Sequence, residues 1–582
     1  MKTHTARRFD THENTPQSAR RRRGNHWRWM GLAGLSLLLL TTLACINRPV
    51  RRAIPDPMVS FTESVPQNTD RDVDILFVVD DSRSMQDEQE RLSENFESLM
   101  TTLKRTRGGL PNVHIGVTST DIGAPGTCVG EGRNGALQRN DCTALASGNY
   151  IIDTEPTGCD VDKTLDDQTG ALTQCGANNC TPDHCAEPGT DLVVDELGCP
   201  RCRNYTDSSL EDLFKCMAKL GTDGCGFEQP LEAMYRALDD HPDNVGFVRE
   251  NAYLTVVFVT DEDDCSASDP AIFSDANTAG GVNLGPAGDF RCFDFGVVCD
   301  QNNRESGTHT NCRPREGDSS KMHDLGRYKD LLHELKDESM VIVAAIAGPV
   351  DSGSVDVAET STGWTVERSC GAGEGAYDGA RPGTRLNAFV TSLTGTDDMD
   401  WAYTSICSDS YDAALTGIGD KLVALMDTCP PVAFKGCHAP EVDANDNVDV
   451  ASCMPQCSVT DKTNKGGTDE QTRDVPHCLE VCPDGLCDGN ADPSQSYAGG
   501  QPPQRDEDLP VEACWYTHIN PSCLASAGAE LVIARRTDPP PRTFTKISCA
   551  GLQTTEQLCN DKVDNDQDGL IDSEDPDCAP QH

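Results

Sequence analysis

Two acidic segments that lie far apart in the sequence carry side chains with oxygen atoms. Folding can bring these side chains together. Asp80, Ser82 and Ser84 follow a nearly continuous apolar run, and Asp261 ends a second such run. Runs of this kind are typical of buried parallel strands, whose carboxyl ends form ligand sites at one edge of an α/β sheet. Carboxylate and hydroxyl oxygens suit hard cations such as Mg²⁺ or Ca²⁺. Alternatively, the two serines only cap the following helix.

A second oxygen-rich pattern lies near the carboxyl terminus, where residues 564–575 read DNDQDGLIDSED. Alternating carboxylates with glycine at the sixth place predict a loop wrapped around one Ca²⁺, and the spacing resembles thrombospondin type 3 repeats. The expected ligands are Asp564, Asp566, Asp568, the carbonyl of Leu570, Asp572 and Asp575. Cys559 and Cys578 bracket the loop and are candidates for a staple. The alternative is a solvated acidic tail.

The elements that must position the first site alternate between strands and helices. Strands are expected at 73–80, 113–118, 253–260, 340–347 and 402–406, and helices at 84–106, 208–220, 229–239, 324–336, 384–393 and 411–427. This alternation predicts an α/β fold with a doubly wound, mostly parallel sheet and helices on both faces.

The Asp-x-Ser-x-Ser sequence after the first strand, together with the later strand-end aspartate, resembles the von Willebrand factor A domain over about residues 72–429. The resemblance implies a metal-ion-dependent adhesion site in which Asp80, Ser82, Ser84 and Asp261 hold Mg²⁺ or Mn²⁺ (or Ca²⁺). It also implies an open metal position that an acidic group of a partner fills.

One position of this family pattern differs. The family normally has a threonine five residues before a small and an aliphatic residue, here Ala233 and Met234. Counting back gives Glu228, and Thr222 is the alternative if the loop is longer. A glutamate would hold the cation more tightly and could block the open position.

Cysteines divide the rest of the chain. Cys-rich insertions are expected at 122–205 and 265–320, followed by a small Cys-rich region at 430–549 and the calcium loop at 550–582. Seventeen cysteines lie between residues 128 and 429 and eleven beyond, so full pairing requires a bridge across the junction, for which Cys429 with Cys437 is the simplest candidate. Disulfides are favoured over a zinc site formed from Cys180, His184, Cys185, Cys199 and Cys202.

The amino-terminal residues predict export. A basic region and a short apolar run within residues 1–44 indicate a signal peptide, and small residues before Cys45 resemble the lipobox of bacterial lipoproteins. Cys45 would then carry the lipid, residues 45–71 would be a tether, and the protein would lie at the outer membrane or cell surface, with the periplasmic side as an option. The alternative is ordinary signal cleavage.

The net charge and the absence of several sequence motifs argue against some classes of function. The chain has 95 acidic against 48 basic residues and a formal net charge of -47, which disfavours nucleic-acid binding. No apolar stretch reaches the roughly 20 residues of a membrane span, so the lipid anchor is the expected membrane contact. Walker, HExxH and GxSxG motifs do not occur in the sequence, and no enzyme activity is expected.

These features predict a noncatalytic, lipid-anchored module that binds a protein or polymer partner through a divalent cation. The alternative is a structural protein of the cell envelope whose metals only stabilise the fold. A secreted hydrolase is disfavoured because the sequence shows no positioned base and nucleophile.

Overall fold

The structure is a computed structural model of the chain. It describes residues 58–66, 71–106, 108–124, 132–166, 171–286, 288, 290–317, 320–371, 379–395, 399–426, 457–463, 470–478, 511–519, 529–537 and 543–552. The predicted signal peptide, Cys45, Cys429, Cys437, Cys559, Cys578 and the loop at 564–575 lie outside these residues.

A mainly parallel sheet forms the centre of the protein. Among the described residues its eight strands are β1 (Asp72–Val79), β2 (Asn112–Ser119), β3 (Ile151–Thr154), β4 (Asp191–Val194), β5 (Pro200–Arg203), β6 (Tyr253–Thr260), β7 (Val341–Ala347) and β8 (Tyr403–Ser405). Their order is β8-β7-β6-β1-β2-β3-β5-β4, and all neighbours from β8 to β2 are parallel. The predicted α/β class and mostly parallel sheet are confirmed.

Helices cover both faces of this sheet. The helices of the described residues are α1 (Gln86–Lys104), α2 (Leu210–Met217), α3 (Pro230–Leu238), α4 (Phe290–Gly296), α5 (Leu325–Leu335), α6 (Thr384–Thr394), α7 (Met399–Ala402) and α8 (Asp412–Met426), of which α4 packs in the second insertion rather than on the sheet. Alternate side chains of β1 enter two cores: Phe77 packs with α1, α2 and α8, whereas Leu76 packs with α3, α5 and α6. Burial on both faces explains why these strands are apolar throughout.

The first Cys-rich insertion extends the central sheet, which the sequence did not reveal. β3, β4 and β5 all lie within residues 122–205 and pair in antiparallel fashion. A separate hairpin joins Asp160–Leu165 to Leu172–Asn178. The expected disulfides are present, and the zinc site is not formed; the bridges are Cys142–Cys216, Cys159–Cys180, Cys175–Cys199 and Cys185–Cys202.

The second insertion contains α4 and short strands. Thr278–Ala279 pairs with Val282–Asn283, Val297–Val298 with Arg313–Pro314, and Gly307–His309 with Val355–Thr360, which also pairs with Gly363–Val366. Single 3-10 turns are at Pro182–His184, Pro270–Phe273 and Glu338–Met340. Two bridges join parts of this insertion, Cys265–Cys292 and Cys299–Cys312.

A small sheet is formed by segments that precede and follow the central domain in the sequence. Met58–Pro66, which lies within the predicted tether, pairs with Thr543–Leu552, and Cys457–Thr463 and Gln471–Asp474 complete the order. Ala513–Ile519 and Ala529–Arg535 form a further hairpin. The bridges here are Cys457–Cys549 and Cys478–Cys514.

None of the helices in the described part of the chain has both the length and the apolar character needed to cross a membrane.

Candidate cation site

β1 and β6 bring the two predicted acidic segments to one edge of the sheet. The strands are parallel neighbours in register from Val73 with Tyr253 to Val79 with Val259. The backbone N–H of Asp80 continues this ladder by donating to the carbonyl of Val259 at 2.9 Å. Asp80 and Asp261 therefore leave adjacent strands at the same end, as the sequence predicted.

The side chain of Asp80 is fully buried and held on both oxygens. Its Oδ1 accepts a hydrogen bond from the backbone N–H of Ser82 at 2.7 Å, and its Oδ2 accepts one from the hydroxyl of Thr260 at 2.8 Å. The first donor lies in the loop after β1, and the second is the last residue of β6. The carboxylate is thus fixed in place, but no cationic side chain supplies these contacts.

The two serines connect Asp80 to Asp261. The hydroxyl oxygens of Ser82 and Ser84 lie 3.2 Å apart, and the Ser84 side chain lies close enough to the Asp261 carboxyl to oppose the rise that burial causes in its pKa. Helix α1 begins after Met85, and its N-cap carries no side-chain hydrogen bond, so the serines do not cap it. The four residues predicted to surround a cation therefore lie close together at this edge of the sheet.

The electrostatics of this group leave negative charge poorly compensated. Burial, and then the neighbouring charge of Asp261, raise the pKa of Asp80 to about 7. Burial also raises the pKa of Asp261, whose Oδ1 accepts no hydrogen bond from any residue that the structure describes. A carboxylate must be ionised to coordinate a metal. A bound divalent cation would stabilise the ionised form of both aspartates and supply the missing positive charge. The donor set therefore fits a hard cation.

Glu228 approaches the site but is held differently. Its side chain is 1% exposed, and its Oε2 accepts a hydrogen bond from the hydroxyl of Thr120, at the end of β2. Burial, followed by the charge of Asp80, raises the pKa of Glu228 well above its usual value. No cluster of three His, Cys, Asp or Glu side chains suited to a metal occurs in the described part of the chain. Glu228 thus does not join Asp80 and Asp261 in such a cluster.

Thr222 lies in a loop that is tied to the site by Gln89. The amide of Gln89 donates to the carbonyl of Asp80 at 2.8 Å and to the carbonyl of Gly221 at 2.9 Å, and its oxygen accepts from the N–H of Gly221 at 3.2 Å. Thr222 is half-buried next to this anchored glycine. Gln89 was not among the predicted site residues, although its place at helical spacing between the apolar Met85 and Leu92 marks it as a polar residue on the buried face of α1.

The acidic residues after Asp261 mainly accept hydrogen bonds from the first turns of two helices. Asp263 accepts hydrogen bonds from the N–H groups of Arg385 and Leu386 in the first turn of α6. Asp264 accepts one from the N–H of Leu231 in α3 and pairs with the Arg385 guanidinium at 3.1 Å. Carboxylates at helix N-termini satisfy unpaired N–H groups and favour the helix dipole. Asp263 and Asp264 therefore hold the first turns of α6 and α3.

Comparisons with known proteins give little information. No family model and no curated protein match the chain. Two crystal structures of the pilus adhesin SpaC from Lactobacillus rhamnosus GG, one in an open conformation, are similar at 11% and 12% identity, with TM-scores of 0.27 and 0.25. Each match covers 85% of this chain, which spans 41% of the adhesin's length. Scores this low carry no argument for a shared fold or function.

Proposed function

We propose that residues 72–429 form a von Willebrand factor A-like module that binds a partner through a divalent cation. The observation that carries the proposal is the close grouping of Asp80, Ser82, Ser84 and Asp261 at the carboxyl edge of a mainly parallel sheet. Its two buried carboxylates lack a cationic side chain within the group. The proposed role is noncatalytic.

In this proposal the four side chains hold Mg²⁺ or Mn²⁺ (or Ca²⁺), and Thr222 or Glu228 completes the protein ligands. The burial of Glu228 and its bond to Thr120 favour Thr222 for this position. An acidic group of a protein or polymer would occupy the remaining metal position. The Cys-rich insertions, which extend the sheet and flank its edge, would determine which partner fits.

The same proposal includes the sequence features outside the described residues. Cys45 would anchor the protein to the outer membrane or cell surface, and the loop at 564–575 would bind Ca²⁺ as a structural staple. Replacing Asp564 and Asp566 by alanine in the full chain should abolish the heat of Ca²⁺ binding at that loop. An unchanged Ca²⁺ titration in this variant would reject the loop assignment.

Thermal unfolding tests the cation site. Mg²⁺ or Mn²⁺ should raise the Tm of the wild-type protein, because a ligand that binds only the folded state stabilises it. Asp80→Ala combined with Ser82→Ala should abolish this shift. The matched control is Asp412→Ala combined with Ser98→Ala. These substitutions also remove one carboxylate and one hydroxyl, but from an exposed pair outside the candidate site, in which the Ser98 hydroxyl donates to Asp412 at 2.6 Å. Equal shifts in both double variants would reject the proposal.

The alternative function is a structural envelope protein, which the many disulfides favour. EDTA separates the two functions. The binding module should release a cation-dependent partner while staying folded, because its disulfides and core are intact. A purely structural protein should lose stability in EDTA and show no partner to release.

A further inference from the structure

A strap of the chain lies against the strand end that carries Asp261. Residues 367–371 and 379–383 are the two described arms of this strap. In the second arm, the backbone N–H of Arg381 donates to the carbonyl of Asp261 at 2.9 Å, and the Arg381 guanidinium pairs with the carboxylate of Glu262. The strap thus holds the backbone from which one of the two cation-site aspartates projects.

The two arms of the strap are bonded to each other. The backbone N–H of Ser369 donates to the carbonyl of Ala380 at 2.8 Å, and the N–H of Ala380 donates to the carbonyl of Cys370 at 3.3 Å. A Cβ added at Gly371 would lie 2.4 Å from the Cα of Gly379, so the arms are in close backbone contact there. A displacement of Cys370 is therefore passed on to the second arm.

The loop after β8, residues 406–411, is bonded to the helix that follows the two serines. Arg91 of α1 donates through Nη1 to the carbonyls of Ile406 at 2.9 Å and Ser408 at 3.0 Å. Helix α1 begins two residues after Ser84. This loop therefore supports the part of the candidate site that comes from the end of β1, whereas the strap supports the part that comes from the end of β6.

A disulfide between Cys370 and Cys407 links the strap covalently to this loop. We propose that this bridge is a positioning element that sets the cation affinity, because it keeps the supports of the two halves of the site at a fixed separation. Groups that orient metal ligands from behind typically change metal affinity by roughly 10- to 100-fold when they are lost. This inference rests on the proposed cation function and names a determinant of its affinity that lies outside the ligands.

Titration of the full chain with Mg²⁺ tests this role. Cys370→Ser combined with Cys407→Ser should raise the Mg²⁺ concentration at half-maximal Tm shift about 10-fold. The matched control is Cys159→Ser combined with Cys180→Ser, which opens a bridge of the first insertion; all four cysteines are half-buried. Both double variants should have a lower Tm in EDTA, because each loses a crosslink, but the control should keep the wild-type Mg²⁺ concentration. Unchanged Mg²⁺ affinity without the Cys370–Cys407 bridge, or equal weakening in both variants, would overturn the proposal.

Arg91→Met supplies a second test in which the disulfide is retained. It should weaken Mg²⁺ binding several-fold, and it should add little to the double variant of Cys370 and Cys407, because both changes break the same connection. If the double variant folds poorly, Arg91→Met alone decides, and an unchanged Mg²⁺ affinity or fully additive effects would contradict the proposal.

The same titrations separate this inference from the function on which it rests. A wild-type protein without any Mg²⁺ response would reject the cation function and the positioning role together. A wild-type response that persists at the same Mg²⁺ concentration without the bridge would reject the positioning role alone.

Discussion

Two buried aspartates of the central sheet are compensated in opposite ways. Asp153 in β3 is fully buried, and its carboxylate meets Arg201 at 2.6 Å, Arg203 at 2.9 Å and the hydroxyl of Tyr205 at 2.6 Å. Asp80 after β1 is equally buried but accepts only neutral hydrogen bonds and lies near a second carboxylate. Asp153 thus has two cationic hydrogen-bond partners, whereas the hydrogen-bond partners of Asp80 are neutral.

Under the proposed function, this difference has a reason: the charge that compensates Asp80 would be an external cation. Burying an uncompensated carboxylate is expensive, and evolution can remove such a group at little cost to packing. Its presence, next to the two serine hydroxyls and Asp261, is understandable if the compensating charge arrives from solution. The same substitution at the two aspartates should therefore have opposite effects.

Asp153→Asn should give the largest change. It removes the charge that balances two arginines, of which Arg201 is almost fully buried. Breaking one partner of a buried pair costs about 3–5 kcal/mol in the free energy of unfolding. Urea unfolding measures it, with the exposed Asp162→Asn as control. The loss should be the same with Mg²⁺ or EDTA, and a loss below about 1 kcal/mol would contradict the comparison.

Asp80→Asn should stabilise the cation-free protein. It removes a buried charge beside Asp261. The amide oxygen can still accept from the Ser82 N–H, and the amide nitrogen would donate to the Thr260 hydroxyl oxygen, which reverses the direction of that bond. A gain on the order of 2 kcal/mol at neutral pH is expected from the raised pKa of Asp80, measured by urea unfolding in EDTA. In excess Mg²⁺ the order should reverse, because only the wild type gains from the cation. Destabilisation in EDTA would argue that Asp80 is an ordinary structural carboxylate.

The pH dependence of stability should follow from the same residue. In the folded protein the pKa of Asp80 is about 7, against about 3.8 for an unperturbed aspartate. The folded state thus binds more protons between these values, so the contribution to the free energy of unfolding is complete below pH about 4 and falls as pH rises to 7. Unfolding in EDTA at pH 5 and pH 7.5 measures this decline, which Asp80→Asn should reduce.

Mg²⁺ should act in the opposite direction along this pH range. Protons compete with the cation for the carboxylates, so the Mg²⁺-induced Tm shift should be larger at pH 7.5 than at pH 5. A shift that is equal at both pH values would place the cation away from Asp80 and Asp261.

The parallel half of the sheet was predictable and the antiparallel half was not. β1, β6 and β7 are buried on both faces, so each is a continuous apolar run that is visible in the sequence. β4 and β5 are four residues long and include charged residues such as Arg201 and Arg203. Their pairing depends on ion pairs and disulfides between distant residues, which leave no periodic signal.

The candidate site, like the sheet, was predicted only in part. The grouping of Asp80, Ser82, Ser84 and Asp261 followed from the rule that parallel strand ends meet at one edge. Thr120 and Gln89 escaped prediction, since their contacts join residues more than a hundred positions apart. Adhesive function and membrane anchoring remain predictions, because they depend on partners or on residues that the structure does not describe.

Gln89→Leu should give the smallest effect and refine the comparison. Leucine fills the buried position on α1 but cannot hydrogen-bond the carbonyls of Asp80 and Gly221. Two carbonyls then lose a donor, and the free energy of unfolding should fall by about 1 kcal/mol. If Thr222 is a metal ligand, a looser loop should also weaken Mg²⁺ binding several-fold, measured by the Mg²⁺ concentration at half-maximal Tm shift. Unchanged Mg²⁺ affinity despite lower stability would remove Thr222 from the ligand set and leave Glu228 as the remaining candidate.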